Sequence, residues 1–418
     1  MKSKHNRNLD ILRGVAALVV VCFHLISCYP RAFDTKYELG HLLNYNFPGH
    51  MSVLVFFILS GYVISINTKP LTDRKSILSY IKKRLIRIVP IYFIAILFTV
   101  AITWGAYDWR VVLCNFFFVS VPFDNVIIEN GPLWSLNYEL IYYFLFILFS
   151  YFRISFNITV KVLAAVIALL FAFFHNVKIY PLYISYLIGF LFWATGAMIA
   201  EQQERPVWNI RGSRVIAIFI LIFCLQSFNP YGPVLKVLKL NVADYTALSM
   251  YQQSISWPDL YYFPLAILLI FSLTHMYSKK CNYLLYFLYI SAMVRLVMIY
   301  KVYDINFIVS EHYVVPAVIF IASILLWLFN FEIGDKIKEK MKYFSSFGSV
   351  SYAVYIIHLP LIYFFGNMPA TSGVFFAIKV VGYLAALLLI AYLLELKYQP
   401  FIKKQFYKKP KAISNPAG

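Results

Sequence analysis

The sequence predicts an all-α, polytopic membrane protein with about 10–12 transmembrane helices, both termini in the cytoplasm and one re-entrant segment. Three observations carry this. Hydrophobic residues make up 61% of the 418 and charged ones only 13%, about half the charged share of a soluble globular domain. Apolar stretches close to the ~20 residues that cross a bilayer recur along the whole chain. Of the 37 Lys and Arg, 28 fall in alternate connections and eight in the others, with Arg295 inside a helix. Cytoplasmic connections keep the excess of cations, so the basic side is the cytoplasm. The formal charge of +19 thereby reflects topology and contact with anionic lipid, not nucleic acid.

The first stretch, about 9–29, is LDILRGVAALVVVCFHL followed by ISC. Arg13 and His24 lie eleven residues apart, three helical turns plus about 20°, and so share one face on the order of 16 Å apart along the axis. Charged and titratable groups in hydrocarbon are expensive and mark function. LISC at 25–28 has the form of a lipoprotein cleavage site, but Arg13 interrupts the apolar run such a signal needs, and cleavage would discard both residues. The second stretch, 49–67, is FFILSGYVIS at its centre, where Ser60 and Gly61 permit close helix approach; His50 sits near its outer end. The third, 85–104, begins in KKRLIRIVPIY. Arg84 and Arg87, with Lys83 beside them, present guanidinium groups on one face at the cytoplasmic mouth. Such a pair suits a polyphosphate, although orientation alone also places cations there. CNFFFVSV at 114–121 is too short to span and is the predicted re-entrant or interfacial segment.

PLWSLNYELIYY opens the fourth stretch, 133–152, with Trp134 at the interface and Glu139 about five residues deeper. His24 lies about as far below its own outer end, so the two meet at similar depth. A carboxylate beside an imidazole would fix its tautomer and support its cation; the alternative is a polar pair that only joins helices, worth about 0.6 kcal/mol. Further apolar stretches follow at about 157–175, 182–200, 213–228, 260–278, 283–300 and 312–331. The interval 229–259 is too short and mixed for a soluble domain. SYAVYIIHLPL, in the stretch 349–366, puts Ser351, Tyr355 and His358 on one helix face, and Pro360 frees the carbonyl of Ile356 for a neighbouring polar group. A last stretch, 374–396, precedes a basic cytoplasmic tail, 397–418. The organisation is therefore one membrane-embedded domain, 8–396, and no soluble domain. The five cysteines (Cys22, Cys28, Cys114, Cys224, Cys281) lack metal-ligand spacing and read as small core residues, so no metal is expected.

In order along the chain, the Arg-ten-residues-His of the first stretch, FFILSGYVIS, the Arg-x-x-Arg of RLIR with PIY, PLWSLNYE and SYAVYIIHLP resemble the integral-membrane acyltransferase 3 family, which includes bacterial O-antigen and polysaccharide O-acyltransferases. The resemblance covers roughly residues 8–395. It implies transfer of an acyl group, most often acetyl, from cytoplasmic acyl-CoA to a hydroxyl of an envelope glycan or lipid-linked sugar, in the cytoplasmic (inner) membrane. It also implies His24 as catalytic histidine, Arg13 as its partner arginine, and Arg84 and Arg87, with Lys83, as binders of acetyl-CoA or another acyl-CoA. The family often has paired acidic residues after WSL, where this chain has Asn137 and Tyr138 before a single Glu139. Ser60, Trp134, Tyr355 and His358 are expected to line the substrate path. His24, with an ordinary pKa near 6.5, can act as general base or accept the acyl group; both routes stay open, and a separate extracytoplasmic partner is compatible with the missing soluble domain. A multi-pass transporter or polysaccharide exporter is the rival reading, with a non-catalytic envelope partner behind it.

Overall fold

A backbone amide in hydrocarbon finds no water, so every N–H and C=O must be satisfied within the chain, and helices do this segment by segment. The computed structural model describes residues 7–28, 47–175, 181–202, 210–230, 232–233, 254–274, 276–303, 313–368 and 373–407, and among these the regular structure is all helix, with no strand. In chain order the helices are α1 (Arg7–Cys22, continued by a π-helical turn, Phe23–Cys28), α2 (Gly49–Asn67), α3 (Arg74–Ile102), α4 (Trp109–Phe116), α5 (Trp134–Tyr151, entered through a 3-10 turn, Ile128–Leu133), α6 (Phe156–Phe174) and α7 (Leu182–Glu201). Then come α8 (Gly212–Phe228), α9 (Phe263–Leu273, entered through Trp257–Tyr262), α10 (Cys281–Val302), α11 (Val314–Phe329), α12 (Asp335–Gly366), α13 (Gly373–Tyr392, continued by a π-helical turn, Leu393–Tyr398) and α14 (Gln399–Phe406).

All twelve apolar stretches become helices. Among the described residues nine are long and apolar enough to cross a membrane, and three shorter apolar ones lie at Gly212–Phe228, Trp257–Leu273 and Val314–Phe329. The chain is an all-α multi-pass membrane protein. Segment 114–121 does not span: α4 has eight residues, about 12 Å of rise, and the chain then turns with Phe118 at φ +57°. Its end is pinned to α3 by the Tyr92 hydroxyl, which donates to the Asn115 carbonyl at 2.6 Å, and by Phe118 stacked on the Tyr92 ring. α3 starts eleven residues before the apolar run, because Asp73 and Ser76 form a reciprocal cap there. The Ser76 N–H holds the exposed Asp73 carboxyl below its ordinary pKa. Part of the expected basic tail, Gln399–Phe406, is helix packed on α3; residues 408–418 lie outside those described, as does most of the interval 229–259.

Two close crossings set the frame around the site. On α2, a Cβ at Gly61 would stand 1.9 Å from the Trp193 carbonyl oxygen, and on α7 one at Gly196 would stand 1.9 Å from that of Ile58. The two helices therefore meet backbone to backbone, as the sequence suggested for Gly61. α1 meets α12 the same way, with Gly348 against the Asp10 carbonyl. Proline supplies the second device. Pro90 in α3 frees the Ile86 carbonyl, which accepts from Gln399 Nε2 of α14 at 2.6 Å. Pro360 in α12 frees the Ile356 carbonyl, and Asn130 Nδ2, from the turn before α5, donates to it at 3.2 Å. A neighbouring polar group was expected at Ile356, and it is Asn130.

The backbone contact at Gly61 leaves no room for a side chain. Gly61→Val is expected to destabilise the detergent-solubilised protein by about 1–3 kcal/mol, read as a lowered thermal midpoint, whereas Gly105→Ala, where no atom lies within 4 Å but φ is +79°, should lose only about 1 kcal/mol to backbone strain.

Candidate functional site

Helices α1, α2, α3, α5 and α12 enclose a cavity of about 270 Å³. Its inner end is cationic, with Arg13, Arg84 and Arg87 in the wall; Ser60, Glu139 and Tyr143 follow, and Ser135 and Tyr355 lie at the far end. The order follows from helix rise, since α5 runs from Ser135 through Glu139 to Tyr143 in steps of about 6 Å. Glu139 Oε1 accepts from the Ser60 hydroxyl at 2.7 Å and from the Tyr143 hydroxyl. Arg84 lies over the rings of Tyr80 and Tyr143, at 5.4 and 5.8 Å from their centroids, and its buried Nε has no hydrogen-bond partner among the described residues.

Arg87 departs from the expected pair. Its Nη1 donates to Glu395 Oε2, a carboxylate on the π-helical turn after α13 that is only 5% exposed. Tyr352 lies beneath its guanidinium at 5.3 Å. Arg13 pairs with Asp10 one turn earlier, at 3.1 Å. Both arginines also line a second, polar cavity of about 380 Å³ on the basic side of the bundle, together with Arg7, Lys403, Asp10 and Glu395. The two cavities thus share Arg13 and Arg87 as common wall. Five cations around them face three carboxylates, leaving two positive charges.

His24 stands on the π-helical turn that follows α1; such single wide turns are frequent at functional sites. The expected partner was Glu139, but Glu139 is held by Ser60 and Tyr143, and among the described residues His358 meets His24. Nε2 of His358 lies 3.2 Å from Nδ1 of His24, with ring centroids 4.9 Å apart. Hydrogen bonding assigns the tautomers. The Tyr355 carbonyl, 2.6 Å from His358 Nδ1, can only accept, so that nitrogen carries the hydrogen and His358 Nε2 keeps its lone pair. The Val20 carbonyl, 2.9 Å from His24 Nδ1, likewise puts a hydrogen there, shared with His358. The lone pair of His24 therefore sits on Nε2. The Tyr355 hydroxyl donates to the Pro132 carbonyl at 3.0 Å and lies 2.8 Å from Ser135 Oγ, so a hydrogen-bonded layer separates the first cavity from the two histidines.

Other predicted residues fall elsewhere. Lys83 is exposed on α3, outside both cavity walls. Trp134 is buried off the cavity, stacked on His50 and edge-on to Phe57 and Tyr138, and His50 Nε2 lies 2.9 Å from Asp259. Asp10, Glu395, Gln399 and Lys403 were not predicted. Asp10 was within reach of pattern reading, three residues before Arg13, whereas the others come together with α1 and α3 only through folding.

The site is thus a polar, cationic cavity that shares Arg13 and Arg87 with a second cavity between the helices, with a histidine pair close by, in a multi-pass membrane protein. The profile of the acyltransferase 3 family, described as an acyltransferase domain, matches residues 6–308, and the chain belongs to that family as a membrane acyltransferase. Tyr355, His358 and Glu395 lie beyond the matched residues. No curated protein and no solved structure matches the chain.

The Arg87–Glu395 pair separates two arginines that are equivalent by sequence. Arg87→Ala strands a buried carboxylate and should destabilise by about 2 kcal/mol, less than the ~3–5 of a fully buried pair because Arg87 is about a third exposed. Arg84→Ala strands no carboxylate and should stay within about 1 kcal/mol. Thermal unfolding of the two variants checks the difference.

Proposed function

We propose that this chain moves an acyl group, most often acetyl, from cytoplasmic acyl-CoA to a hydroxyl of an envelope glycan or lipid-linked sugar on the far side of the cytoplasmic membrane. The observation that carries the reading is the pair of cavities joined at Arg13 and Arg87. The outer phosphates of the donor suit the polar cavity, with its two surplus positive charges and the guanidinium forks that phosphate favours. The slender pantetheine arm suits the apolar cavity, which runs toward Ser135 and Tyr355. Half-buried Arg84, whose buried Nε has no hydrogen-bond partner among the described residues, suits the arm's amide carbonyls or the innermost phosphate.

In this reading the acceptor hydroxyl comes to Nε2 of His24 from the outward side. As its oxygen forms the bond to the thioester carbonyl carbon, His24 takes the hydroxyl proton. When the C–S bond breaks, the CoA sulfur leaves with that proton, so a sugar ester and free CoA thiol result. His358 stands where a triad places its carboxylate: its Nε2 lone pair receives the His24 Nδ1 hydrogen and supports the transient imidazolium. His358 is a positioning residue. Glu139 acts on the donor's path, adding a negative charge to the cavity wall and fixing Ser60 and Tyr143, instead of orienting the imidazole as the sequence suggested. Direct transfer needs one proton carrier, which the geometry supplies; acylation of Nε2 itself is the competing route, and mass spectrometry of enzyme held with acyl-CoA and no acceptor separates them by an adduct on His24.

Membranes carrying the wild-type chain should transfer labelled acetyl from acetyl-CoA to envelope glycan, and His24→Ala should abolish transfer; equal labelling removes the reading. For His358, the Gln variant keeps an acceptor toward His24 and the Phe variant does not. His358→Phe is expected to lower kcat about 10²-fold with little change in the KM for acetyl-CoA, and His358→Gln to recover at least tenfold of the loss. Loss of protein from the membrane, measured in parallel, would mark a purely structural role.

A further inference from the structure

Arg295 takes no part in the path described above. It lies on α10, fourteen residues after Cys281, which follows the basic Lys279 and Lys280. That is about 21 Å of helical rise, so on the orientation given by the basic loops Arg295 stands in the outward half of the bundle. Its Nε donates to the carbonyl of Phe228 at 2.9 Å, one of the orphan carbonyls at the end of α8. This contact uses one of the five N–H groups of the guanidinium.

Beside Arg295 is a groove of about 290 Å³ with an almost wholly apolar wall. Phe287, Ile290, Val294 and Met298 of α10 form one side, and Pro230 and Pro233 the other. The four α10 residues recur at offsets of three, seven and eleven, a single helix face, and they are open to the surroundings, Ile290 by 63% and Val294 by 53%. Phe287 lies about 12 Å deeper than Arg295 along the helix. The cation therefore stands toward the outward end and the apolar run extends below it toward the midplane. That is the polarity of a lipid in the outward leaflet, head group up and chain down. A charged side chain on a lipid-facing groove is expensive unless it meets a counter-charge, and Arg295, about 10 Å of helix short of the end of α10 at Val302, can extend its long side chain toward the lipid phosphates of the outward interface.

We infer that this groove is a lipid site: Arg295 holds the phosphate of an anionic phospholipid in the outward leaflet, and one acyl chain lies along Phe287, Ile290 and Val294. The inference is independent of the acyl-transfer reading.

Native mass spectrometry and thermal unfolding of the full chain, with phosphatidylglycerol, phosphatidylcholine or inorganic phosphate added, test it. Arg295→Gln keeps a donor for the Phe228 carbonyl and removes the charge; Val294→Trp fills the groove and leaves Arg295 in place. The wild type should retain one phosphatidylglycerol in preference to phosphatidylcholine and gain thermal stability from it, and each variant should weaken that retention at least tenfold. Inorganic phosphate should give no protection. Equal retention by wild type and both variants, no preference between the two lipids, or protection by inorganic phosphate alone would each overturn the proposal. Should Arg295→Gln fail to fold, Val294→Trp decides it.

Discussion

The molecule is organised around charge that must be held inside a bilayer. Arg13, Arg84 and Arg87 enter an otherwise apolar bundle, where an unbalanced cation costs several kcal/mol. Two of them are paired directly, Arg13 with Asp10 one turn away and Arg87 with Glu395 on the turn after α13, while Glu139 on α5 lines the same cavity as Arg84 without pairing to it. Each acid is itself positioned by what surrounds it. Glu139 accepts from Ser60 and Tyr143, and the ring of Tyr143 in turn lies against Arg84. The cavity wall is thus tied across helices, α2 to α5 through Ser60 and Glu139 and α3 to the turn after α13 through Arg87 and Glu395.

Backbone satisfaction adds a second linkage that runs through the same helices. Pro90 and Pro360 each remove a hydrogen bond from a helix that lines the site, and the carbonyls they free are met by side chains from elsewhere, Gln399 and Asn130. Gln399 opens α14, four residues after Glu395. The final helical segment therefore reaches α3 twice, once by charge at Arg87 and once by hydrogen bond at Ile86. This explains why Gln399–Phe406 is helix where composition alone suggested a basic tail: Gln399 and Lys403 complete the wall of the polar cavity.

What could be read from the chain follows from which interactions are local. Helix existence was legible because apolar runs announce themselves, and so was the shared face of Arg84 and Arg87 in RLIR, both of which line the first cavity, since helical period fixes a face within one segment. The need for a donor at the Ile356 carbonyl was legible from Pro360, although not that Asn130 would supply it. The partner of His24 was not legible. Equal depth made Glu139 a reasonable candidate, but depth fixes one coordinate of three, and rotation about the helix axes brings His358 to His24 while turning Glu139 toward Ser60. Glu395 was invisible for the same reason, being 308 residues from Arg87 along the chain.

The separation between the cavity and the histidine pair bears on how a reaction could use two sides of a membrane. The polar cavity faces the basic side and the histidines lie toward the other, with Tyr355, Ser135 and the Pro132 carbonyl joined between them. On the acyl-transfer reading a polyphosphate would go no further than these arginines, because beyond Arg84 the wall offers one carboxylate and mostly apolar surface. In the reading proposed above, only the thin acyl-bearing arm would advance, and it must meet the Tyr355 layer before it meets His24. Tyr355 and His358 occupy one helix, three residues apart, with the Tyr355 carbonyl holding the His358 ring. On that reading, a displacement of Tyr355 by the arriving arm would act on the ring that meets His24, and the residues closing the path would couple donor arrival to the state of that histidine.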